Sequence, residues 1–403
     1  MKKLSIRNCD VAGKRVLARV DFNVPIDRNK NITDDTRIVA ALPTINSVVE
    51  RGGRLILMSH LGRPRGRRDE QLSLAPVAFR LGEQVDYPVK FVKDCVGEKV
   101  KHKVDTLQNG EILLLENLRF SAGEEANDPE FARELASLGD IYVNDAFGTA
   151  HRAHASTVGV ADHFDIRAAG FLLEKEIDAL TDALENPKRP FVAVLGGAKI
   201  RGKINLIRSL MDRVDVLLVG GGMMFTFFKA TGLEIGNSVA DDAYLEMCKE
   251  LLDRRRSGTA RLLLPVDCII AREIDDSAAA REVSIADIPE DWLGVDIGPK
   301  SVELFKRELA EASTIFWNGP MGVFERPGFA DGTKEIAMAV ADGGSRGATT
   351  IVGGGDSVAA INLMGLGDRF SHISTGGGAS LEFMEGKDLP GVEALCDVAE
   401  ASC

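Results

Sequence analysis

The sequence lacks the features that mark secreted, membrane-spanning and disulfide-stapled proteins. Its six cysteines are scattered without a CxxC pair, so neither a disulfide framework nor a zinc site is expected, and a reducing cytoplasm is the natural compartment. The sequence contains no run of about 18 apolar residues, so no membrane-spanning segment is expected. The start, Met1–Arg7, is not followed by the apolar segment of a signal peptide. The net charge of −12 disfavours nucleic acid as a partner.

Two familiar nucleotide-binding motifs are also missing. The dinucleotide fingerprint GxGxxG occurs in none of the glycine-rich turns. Gly197, Gly202 and Lys203 have the spacing of a P-loop. That motif requires Ser or Thr next, to hold a magnesium ion, and the next residue here is Ile204. Any phosphate site in this chain is therefore expected to differ from both.

Short apolar runs alternate with helical patterns along both halves of the chain. The runs lack a clean apolar/polar alternation, as expected for strands that are covered on both faces. This order predicts an α/β protein with doubly wound parallel sheets, in which ligands bind beyond the carboxyl ends of the strands. The predicted strands are 15–22, 54–59, 89–92, 112–115 and 141–144 in the first half, and 191–195, 214–219, 262–264, 314–317, 349–352 and 372–374 in the second.

A helical pattern, Phe171–Glu185, separates the two halves and is interpreted as a connector between domains. Its apolar residues keep a 4-3-4 spacing on one face, and two prolines follow its end. The halves differ in charge, since residues 1–170 carry 25 Lys+Arg against 24 Asp+Glu and residues 171–403 carry 24 against 37. A neutral half joined to an acidic half suggests that the first half handles an anion.

Arginines recur after the carboxyl ends of the first-half strands. On its own, each arginine would be interpreted as a solvated surface residue. Gathered at one edge of a sheet, however, the arginines would form a positively charged depression for a small, multiply charged anion. Asp21 and Asn23 lie where the first predicted strand ends and suit sugar or glycerate hydroxyls, although turn formation is the alternative. His151 and His154 lack a third ligand at metal-site spacing, which favours an anion over a metal. The arginines concerned are Arg37, Arg63, the Arg65–Arg68 group, Arg119 and Arg152.

The second half contains glycine-rich turns after several predicted strands. Residues 191–203 indicate a buried strand, a glycine turn and a helix start. Lys199 and Lys203 are four apart, so on a helix they would share a face beside free N–H groups, which suits a polyphosphate; solvated lysines are the alternative. Asp356 follows three glycines at a predicted helix start, where it could meet a phosphate-bound magnesium ion or simply cap the helix.

Taken together, these segments resemble the phosphoglycerate kinase family over essentially the whole chain. The resemblance implies two doubly wound, Rossmann-like domains that face a cleft and are joined by a connector helix. It assigns 1–170 to phosphoglycerate binding, 171–187 to the connector, 188–388 to nucleotide binding, and 389–403 to a tail that packs back on the first domain. The motifs that carry it are RVDFNVP (19–25), SHLGRP (59–64), ENLRF (116–120), NDAFGTAHR (144–152), LGGAK (195–199), WNGP (317–320), VFE (323–325), GGGD (353–356) and STGGGAS (374–380).

The resemblance also implies a function and a set of site residues. The expected enzyme is a monomeric, cytoplasmic kinase of glycolysis that exchanges a phosphate between 1,3-bisphosphoglycerate and ADP, giving 3-phosphoglycerate and ATP, with Mg²⁺ held by Asp356. Arg37 and Lys199 match the catalytic pair. The expected substrate residues are Asp21, Phe22, Asn23, Arg37, His60, Leu61, Gly62, Arg63, Arg119 and Arg152. The expected nucleotide residues are Lys203, Gly294, Glu325, Gly353, Gly354, Gly355, Asp356 and Ser357.

One segment departs from the family pattern. Between its two lysines the family usually has small or acidic residues, whereas this chain has Ile200-Arg201-Gly202. We expect this change to alter nucleotide affinity at most.

Two rivals remain from the residues alone. A nicotinamide-dependent dehydrogenase would need the missing GxGxxG, and a non-catalytic sensor of a phosphorylated metabolite would not need Lys199, Asp356 and the glycine turns.

Overall fold

The computed structural model describes residues 2–257, 260–275 and 280–398. It divides into two compact units. The first, called unit 1, comprises the chain up to Asp178 together with the segment from Asp388 onward, and unit 2 is Ala179–Lys387. Each unit contains one six-stranded parallel sheet flanked by helices, so the predicted α/β fold class is confirmed.

The sheet of unit 1 has the strand order β3-β4-β2-β1-β5-β6, with every neighbouring pair parallel. Its central strands β1, β2, β4 and β5 are buried along almost their whole length, which explains why they are apolar without alternation. The strands are β1 (Arg15–Val20), β2 (Arg54–Met58), β3 (Val89–Phe91), β4 (Ile112–Leu114), β5 (Ile141–Asp145) and β6 (Arg167–Ala169). The helices are α1 (Thr36–Glu50), α2 (Ala75–Gln84), α3 (Glu98–Asp105), α4 (Ala122–Glu125) and α5 (Pro129–Ala136), and α6 (Phe171–Glu185) begins in unit 1 and ends in unit 2.

Unit 2 contains a larger parallel sheet and a smaller antiparallel one. Its strands are β7 (Phe191–Leu195), β8 (Val216–Val219), β9 (Arg261–Leu263), β10 (Asp267–Ala271), β11 (Arg281–Ser284), β12 (Leu293–Ile297), β13 (Thr314–Asn318), β14 (Thr349–Gly353) and β15 (His372–Ile373). The parallel sheet has the order β15-β14-β13-β7-β8-β9, and the three-stranded antiparallel sheet has the order β11-β10-β12.

The remaining helices follow the strands of unit 2, except for the last, which belongs to unit 1. They are α7 (Ile204–Met211), α8 (Met224–Ala230), α9 (Leu245–Ser257), α10 (Pro299–Glu311), α11 (Asp331–Ser345), α12 (Gly355–Leu363), α13 (Gly378–Met384) and α14 (Pro390–Glu393). No helix in the described ranges combines the length and the apolar character that crossing a bilayer requires.

Four strands were missed in the sequence prediction, and each has a physical reason. β6 has only three residues, of which two are alanine, so it offers little apolar signal. β11 reads Arg-Glu-Val-Ser and is mostly exposed. β10 and β12 carry acidic residues and a glycine among their apolar ones, which obscures the pattern. The small antiparallel sheet is therefore held by pairing between distant segments rather than by local propensity.

The C-terminal segment returns to unit 1 and pairs with its first residues. The amide of Leu4 donates to the carbonyl of Cys396 at 2.8 Å. The amide of Gly391 donates to the carbonyl of Ala150 at 2.8 Å, and Nδ2 of Asn144 donates to the carbonyl of Gly391 at 3.0 Å. Residues from both ends of the described chain thus complete the same unit.

A buried carboxylate joins the end of β5 to the start of α6. Oδ1 of Asp145 accepts hydrogen bonds from the amides of Leu172 at 2.9 Å and Leu173 at 3.1 Å. Gly170 leaves room for this contact, because a Cβ at position 170 would collide with the Asp145 side chain. Burial raises the pKa of Asp145 to about 6, although the hydrogen bonds that it accepts act in the opposite sense.

Asp145→Asn should remove a pH dependence of folding stability. A carboxyl group whose pKa is higher in the folded state stabilises that state below its unfolded pKa, and the contribution is lost as pH rises through about 6. This group alone should lower the free energy of unfolding by up to roughly 3 kcal/mol between about pH 4 and pH 7. Urea unfolding at a series of pH values should show the decline in the wild-type protein and its loss in Asp145→Asn.

Asp140→Asn provides a control of opposite sign. Asp140 is partly exposed, and despite its burial the hydrogen bonds and charge of Arg15 hold its pKa below the ordinary value. Its contribution is therefore present near neutral pH and lost as the solution becomes acidic. Identical pH profiles for wild type and Asp145→Asn would contradict the assignment to Asp145.

Candidate functional site

The carboxyl edge of the unit 1 sheet gathers most of the polar residues that were predicted there. β1, β2, β4 and β5 end at this edge, and their following loops supply the side chains. We call this group the basic bowl. Its residues are Asp21, Asn23, Arg37, His60, Arg63, Arg119 and Arg152.

Asp21 and Arg37 form an ion pair on one side of the basic bowl. Arg37 is the second residue of α1, and its Nη1 donates to Oδ2 of Asp21. Asp21 is buried, whereas the Arg37 side chain keeps 35% of its surface exposed. Burial acts to raise the pKa of Asp21, and the positive charges of Arg37 and Arg19 act to lower it. A carboxylate and a partly free guanidinium are thus available together.

The loops after β1 and β2 are tied to each other by hydrogen bonds. Oδ1 of Asn23 accepts from the amide of Gly62 at 2.8 Å, and Oγ of Ser59 accepts from the amide of Phe22 at 2.8 Å. The side chains of Phe22 and Leu61 are buried. These two predicted substrate residues therefore contribute packing beneath the basic bowl. The side-chain oxygen of Asn23 holds the two loops together, which leaves its Nδ2 for other contacts.

Asn117 is the main positioning residue that the sequence reasoning missed. It is fully buried after β4, and its Oδ1 accepts from the amides of Leu61 and Arg119, both at 3.1 Å. Its Nδ2 donates to the carbonyls of Leu61 at 2.7 Å and Leu72 at 2.9 Å. One side chain thus fixes the loop that carries His60 and the turn that carries Arg119. Its place in the ENLRF motif was the only sequence signal.

The remaining arginines of the basic bowl differ in how firmly they are held. Arg119 is buried, and its Nη1 donates to the carbonyl of Gly62 at 2.8 Å. Arg63 and Arg152 are exposed, and Nε of Arg152 lies 3.0 Å from Nε2 of His151. Within the described residues, no group of three or more His, Cys, Asp or Glu is arranged to hold a metal ion. The basic bowl therefore offers an anion one arginine that is held in place, Arg119, and others, such as Arg63 and Arg152, whose exposed side chains can change conformation.

In unit 2 the structure corrects the expected placement of Lys199 and Lys203. They do not share a helix face, because α7 begins at Ile204 with Lys203 at its N-cap. The preceding residues form a tight turn instead, in which the amide of Lys203 donates to the carbonyl of Ile200 at 2.8 Å. Lys199 lies before this turn and is exposed. The glycines around the turn make this non-helical path accessible.

Lys203 is held against the glycine turns. Its Nζ donates to the carbonyl of Gly196 at 2.5 Å and to that of Asn318 at 3.0 Å. Burial lowers the pKa of Lys203 to about 8, and the charge of Asp356 opposes this effect. Arg201, which belongs to the segment that departs from the family pattern, is 72% exposed with its Nε 3.7 Å from Oδ2 of Asp241.

The glycines after β14 leave bare backbone at the start of α12. Gly354 is the N-cap with a φ of 91°, and Gly355 is the first helical residue with open space where a Cβ would stand. Asp356 follows in the first turn with an exposed carboxylate. Ser357 is buried, and its Oγ accepts from the amide of Gly319 at 2.6 Å. Free amides at a helix start favour an anion, and the carboxylate beside them favours a cation.

Asn318 is a second residue that the sequence reasoning did not assign to the site. It ends β13 and is buried, and its Nδ2 has no hydrogen-bond acceptor among the described residues. A Cβ on Gly354 would lie 2.8 Å from this Nδ2, so the donor stands next to the glycine turn. A buried donor without an acceptor is costly, so this Nδ2 is available to an oxygen atom that enters the glycine turn.

Gly294 and Glu325, the other predicted nucleotide residues, also lie in unit 2. Gly294 is on β12, where its amide donates to Oγ of Ser238 at 2.9 Å. A Cβ at position 294 would collide with the ring of Phe225, so only glycine fits. Glu325 is exposed after the GP turn that follows β13.

Comparison with known proteins finds the same similarity along nearly all of the chain. The family model described as phosphoglycerate kinase matches residues 6–387. A phosphoglycerate kinase of Pelodictyon phaeoclathratiforme is 56% identical over 397 residues, covering 98% of this chain and 100% of that protein. One from Chlorobaculum tepidum is 55% identical with the same coverage.

Solved structures show the same similarity in three dimensions. The structure of phosphoglycerate kinase from Coxiella burnetii has a TM-score of 0.88 at 42% identity, covering 97% of this chain and 98% of that one. The crystal structure of the Pyrococcus horikoshii enzyme has a TM-score of 0.84 at 34% identity, again covering 97% and 98%.

Asn117→Ala should destabilise unit 1 strongly. The change leaves buried amides and carbonyls in the His60 and Arg119 loops without their partners, which costs about 3–5 kcal/mol for a broken buried network. Urea unfolding followed by circular dichroism measures the loss. Asn23→Ala is the comparison, since the Asn23 side chain accepts one hydrogen bond from Gly62 and should cost about 1 kcal/mol. Equal losses in the two variants would contradict the role of Asn117.

Proposed function

The chain belongs to the phosphoglycerate kinase family, a family of kinase enzymes, and we propose that it transfers the acyl phosphate of 1,3-bisphosphoglycerate reversibly to ADP, giving ATP and 3-phosphoglycerate. The observation that supports this most directly is that one chain contains two different groups of residues suited to phosphorylated ligands. Unit 1 has a basic bowl for a phosphorylated acid, and unit 2 has a lysine and bare amides for a nucleotide.

We propose that each unit binds one substrate. In this proposal residues 1–170 with the tail 389–403 hold phosphoglycerate, residues 188–388 hold the nucleotide, and residues 171–187 connect them. The division point between Asp178 and Ala179 falls inside α6. Because phosphate can pass directly only between ligands that meet, α6 and its flanks are proposed to act as a hinge. Small-angle scattering should show compaction with both substrates present and none with either alone.

On the phosphoglycerate side, the proposed roles follow the type of each residue. Arg63, Arg119 and Arg152 bind the phosphate and carboxylate of the substrate through paired, charge-assisted hydrogen bonds. Asp21 and Asn23 accept from and donate to its hydroxyl group, and His60 donates a further hydrogen bond. The buried Asn117 keeps the two loops of this site in register.

On the nucleotide side, the amides of Gly353, Gly354 and Gly355 and the Nζ of Lys203 bind the phosphates. Gly294 and Glu325 contact the rest of the nucleotide, and Ser357 supports the turn from beneath. The exposed carboxylate of Asp356 fits Mg²⁺, which usually takes one or two carboxylates together with substrate phosphates and water. Bound there, the ion would neutralise part of the charge on the nucleotide phosphates.

The transfer itself is proposed to be direct and in line. Arg37 and Lys199 would neutralise the equatorial oxygens of the moving phosphoryl group, since stabilising this charge is the main catalytic task in phosphoryl transfer. The glycine turns at Gly353 and Gly376 would add backbone donors. Exclusion of water after closure would protect the acyl phosphate from hydrolysis. We further propose that the enzyme works as a cytoplasmic monomer.

A coupled assay tests the reaction against its rivals. ATP-dependent phosphorylation of 3-phosphoglycerate, followed through reduction of the product by an added dehydrogenase and NADH, should require both substrates and magnesium. A nicotinamide-dependent dehydrogenase would oxidise or reduce the cofactor without the added enzyme. A sensor would bind 3-phosphoglycerate without turnover, and either result would reject the proposal.

Lys199→Ala should lower kcat by roughly 10³ while leaving substrate affinity nearly unchanged, because its charge is proposed to act on the transition state. Arg201→Ala is the matched control, since Arg201 is also an exposed cation, two residues further along the chain, but is paired with Asp241. Its kcat should stay within about twofold, with any change confined to nucleotide KM. A loss of less than about tenfold in Lys199→Ala would exclude Lys199 from catalysis.

Lys203 should make nucleotide affinity depend on pH. Because its pKa is about 8, the Lys203 amine of the enzyme without nucleotide is mostly uncharged at about pH 9. Binding of the anionic nucleotide at that pH then requires Lys203 to take up a proton. The Kd of MgADP, measured by calorimetry, should therefore rise roughly tenfold between about pH 7.5 and pH 9. In Lys203→Arg the charge persists, so the Kd should be nearly constant. The same pH dependence in both proteins would show that Lys203 is not responsible.

A further inference from the structure

A fully buried arginine lies behind the basic bowl and belongs to none of the roles described above. Arg19 is on β1, two residues before Asp21, and its side chain has 0% exposure. Its Nη2 lies 3.0 Å from Nδ1 of His60. Its Nε donates to Oγ of Ser156 at 2.9 Å, and its Nη1 donates to the carbonyl of Val20. All three nitrogens of the guanidinium group are thus engaged within the protein.

The contact between Arg19 and His60 decides which nitrogen of the imidazole carries the proton. A guanidinium group can only donate, so Nδ1 of His60 must be the acceptor and must be unprotonated. The other candidate partner of Nδ1 is Oδ1 of Asp21, but the separation of 3.9 Å exceeds hydrogen-bonding distance. The proton of the neutral ring therefore resides on Nε2.

The surroundings of His60 also keep the ring neutral. Burial lowers the pKa of His60 well below its ordinary value. Arg19, Arg119 and Arg37 act in the same direction, and only Asp21 opposes them. Near neutral pH the ring is therefore a neutral donor among cations.

A buried carboxylate fixes Arg19 in turn, with a hydroxyl group between them. Oγ of Ser156 accepts from Arg19 and donates to Oε1 of Glu124 at 2.6 Å. The amide of Ser156 donates to Oε2 of Glu124 at 3.0 Å. Glu124 and Ser156 both have 0% exposure. A buried cation without a nearby counter-charge would be strongly unfavourable, and this chain of contacts provides one.

We propose that Arg19 is a positioning residue that holds His60 as the neutral Nε2–H tautomer, and that Glu124 acting through Ser156 holds Arg19 in place. The consequence for binding rests on the proposed function. His60 offers a fixed N–H donor to an oxygen of 3-phosphoglycerate without adding another charge to the basic bowl. A free choice of tautomer would instead present an acceptor to an anionic ligand in part of the molecules.

The tautomer can be read directly in the free enzyme. In protein labelled with ¹⁵N-histidine, long-range ¹H–¹⁵N correlation spectra distinguish a protonated from an unprotonated ring nitrogen, and His60→Gln assigns the signal among the six histidines. We expect an unprotonated Nδ1 and a protonated Nε2 at neutral pH. A protonated Nδ1, or a charged ring, would overturn the proposal whatever the enzyme's activity.

Ser156→Ala tests the chain of contacts, and Tyr142→Phe is its matched control. Tyr142 is buried and donates from its hydroxyl to the carbonyl of Ser156 at 2.9 Å, so its loss affects the same residue without removing a hydrogen bond of Arg19. In Ser156→Ala we expect a second His60 tautomer and a KM for 3-phosphoglycerate raised about three- to tenfold, with kcat within about twofold. In Tyr142→Phe we expect lower stability but an unchanged tautomer and KM.

The outcomes distinguish a failure of the inference about Arg19 from a failure of the proposed function. Equal spectra and KM values for Ser156→Ala and Tyr142→Phe would reduce Arg19 to a structural role and reject the inference. If Ser156→Ala does not fold, Glu124→Gln, which keeps an acceptor for Ser156 but removes the charge, serves in its place. If the Nε2–H tautomer is found but added 3-phosphoglycerate leaves the His60 signals unmoved, the proposed function fails while the tautomer assignment stands.

Discussion

The balance between clustered cations and two buried carboxylates shapes the carboxyl edge of the unit 1 sheet. Asp21 meets Arg37 directly, and Glu124 reaches Arg19 through a hydroxyl group. Each carboxylate compensates one arginine and leaves others able to bind an anion. Since guanidinium groups repel each other at short range, a basic site can be pre-formed only if some of its charge is paired inside the protein. The remaining polar contacts of the site maintain this balance, because they fix the loops that carry the charged side chains.

Unit 2 achieves a comparable result with backbone rather than with side chains. Beside its glycine turns lies the Asn318 side-chain donor, which has no acceptor in the part of the chain that the structure describes, and Lys203 is held among carbonyls with a lowered pKa. Here the structure concentrates donors by removing side chains, and the strict need for glycine at Gly294 shows how closely other groups approach. Under the proposed function, the two units would therefore bind phosphate by different means, one through guanidinium groups and the other through main-chain amides.

The sequence allowed the class of fold, most of the strands and α6 to be predicted, because apolar runs and helical spacing are local signals. It also placed the candidate residues at strand ends, which parallel sheets bring to one edge. What it could not reveal depends on contacts between distant segments. Arg19 and Ser156 are 137 positions apart, and Leu61 and Asn117 are 56 apart. The helix expected for Lys199 is absent because Ile200–Lys203 form a hydrogen-bonded turn and α7 begins only at Ile204.

The return of the C-terminal segment to unit 1 has a consequence for how the protein is made. Unit 2 is contained in a continuous stretch of chain, whereas unit 1 needs residues from before position 179 and after position 387. Domains usually fold as units while the ribosome is still adding residues. Unit 2 can therefore complete its structure during synthesis. Unit 1 cannot do so until the residues after position 387 have emerged, because the amide of Leu4 and the carbonyl of Ala150 take their hydrogen-bond partners from Cys396 and Gly391.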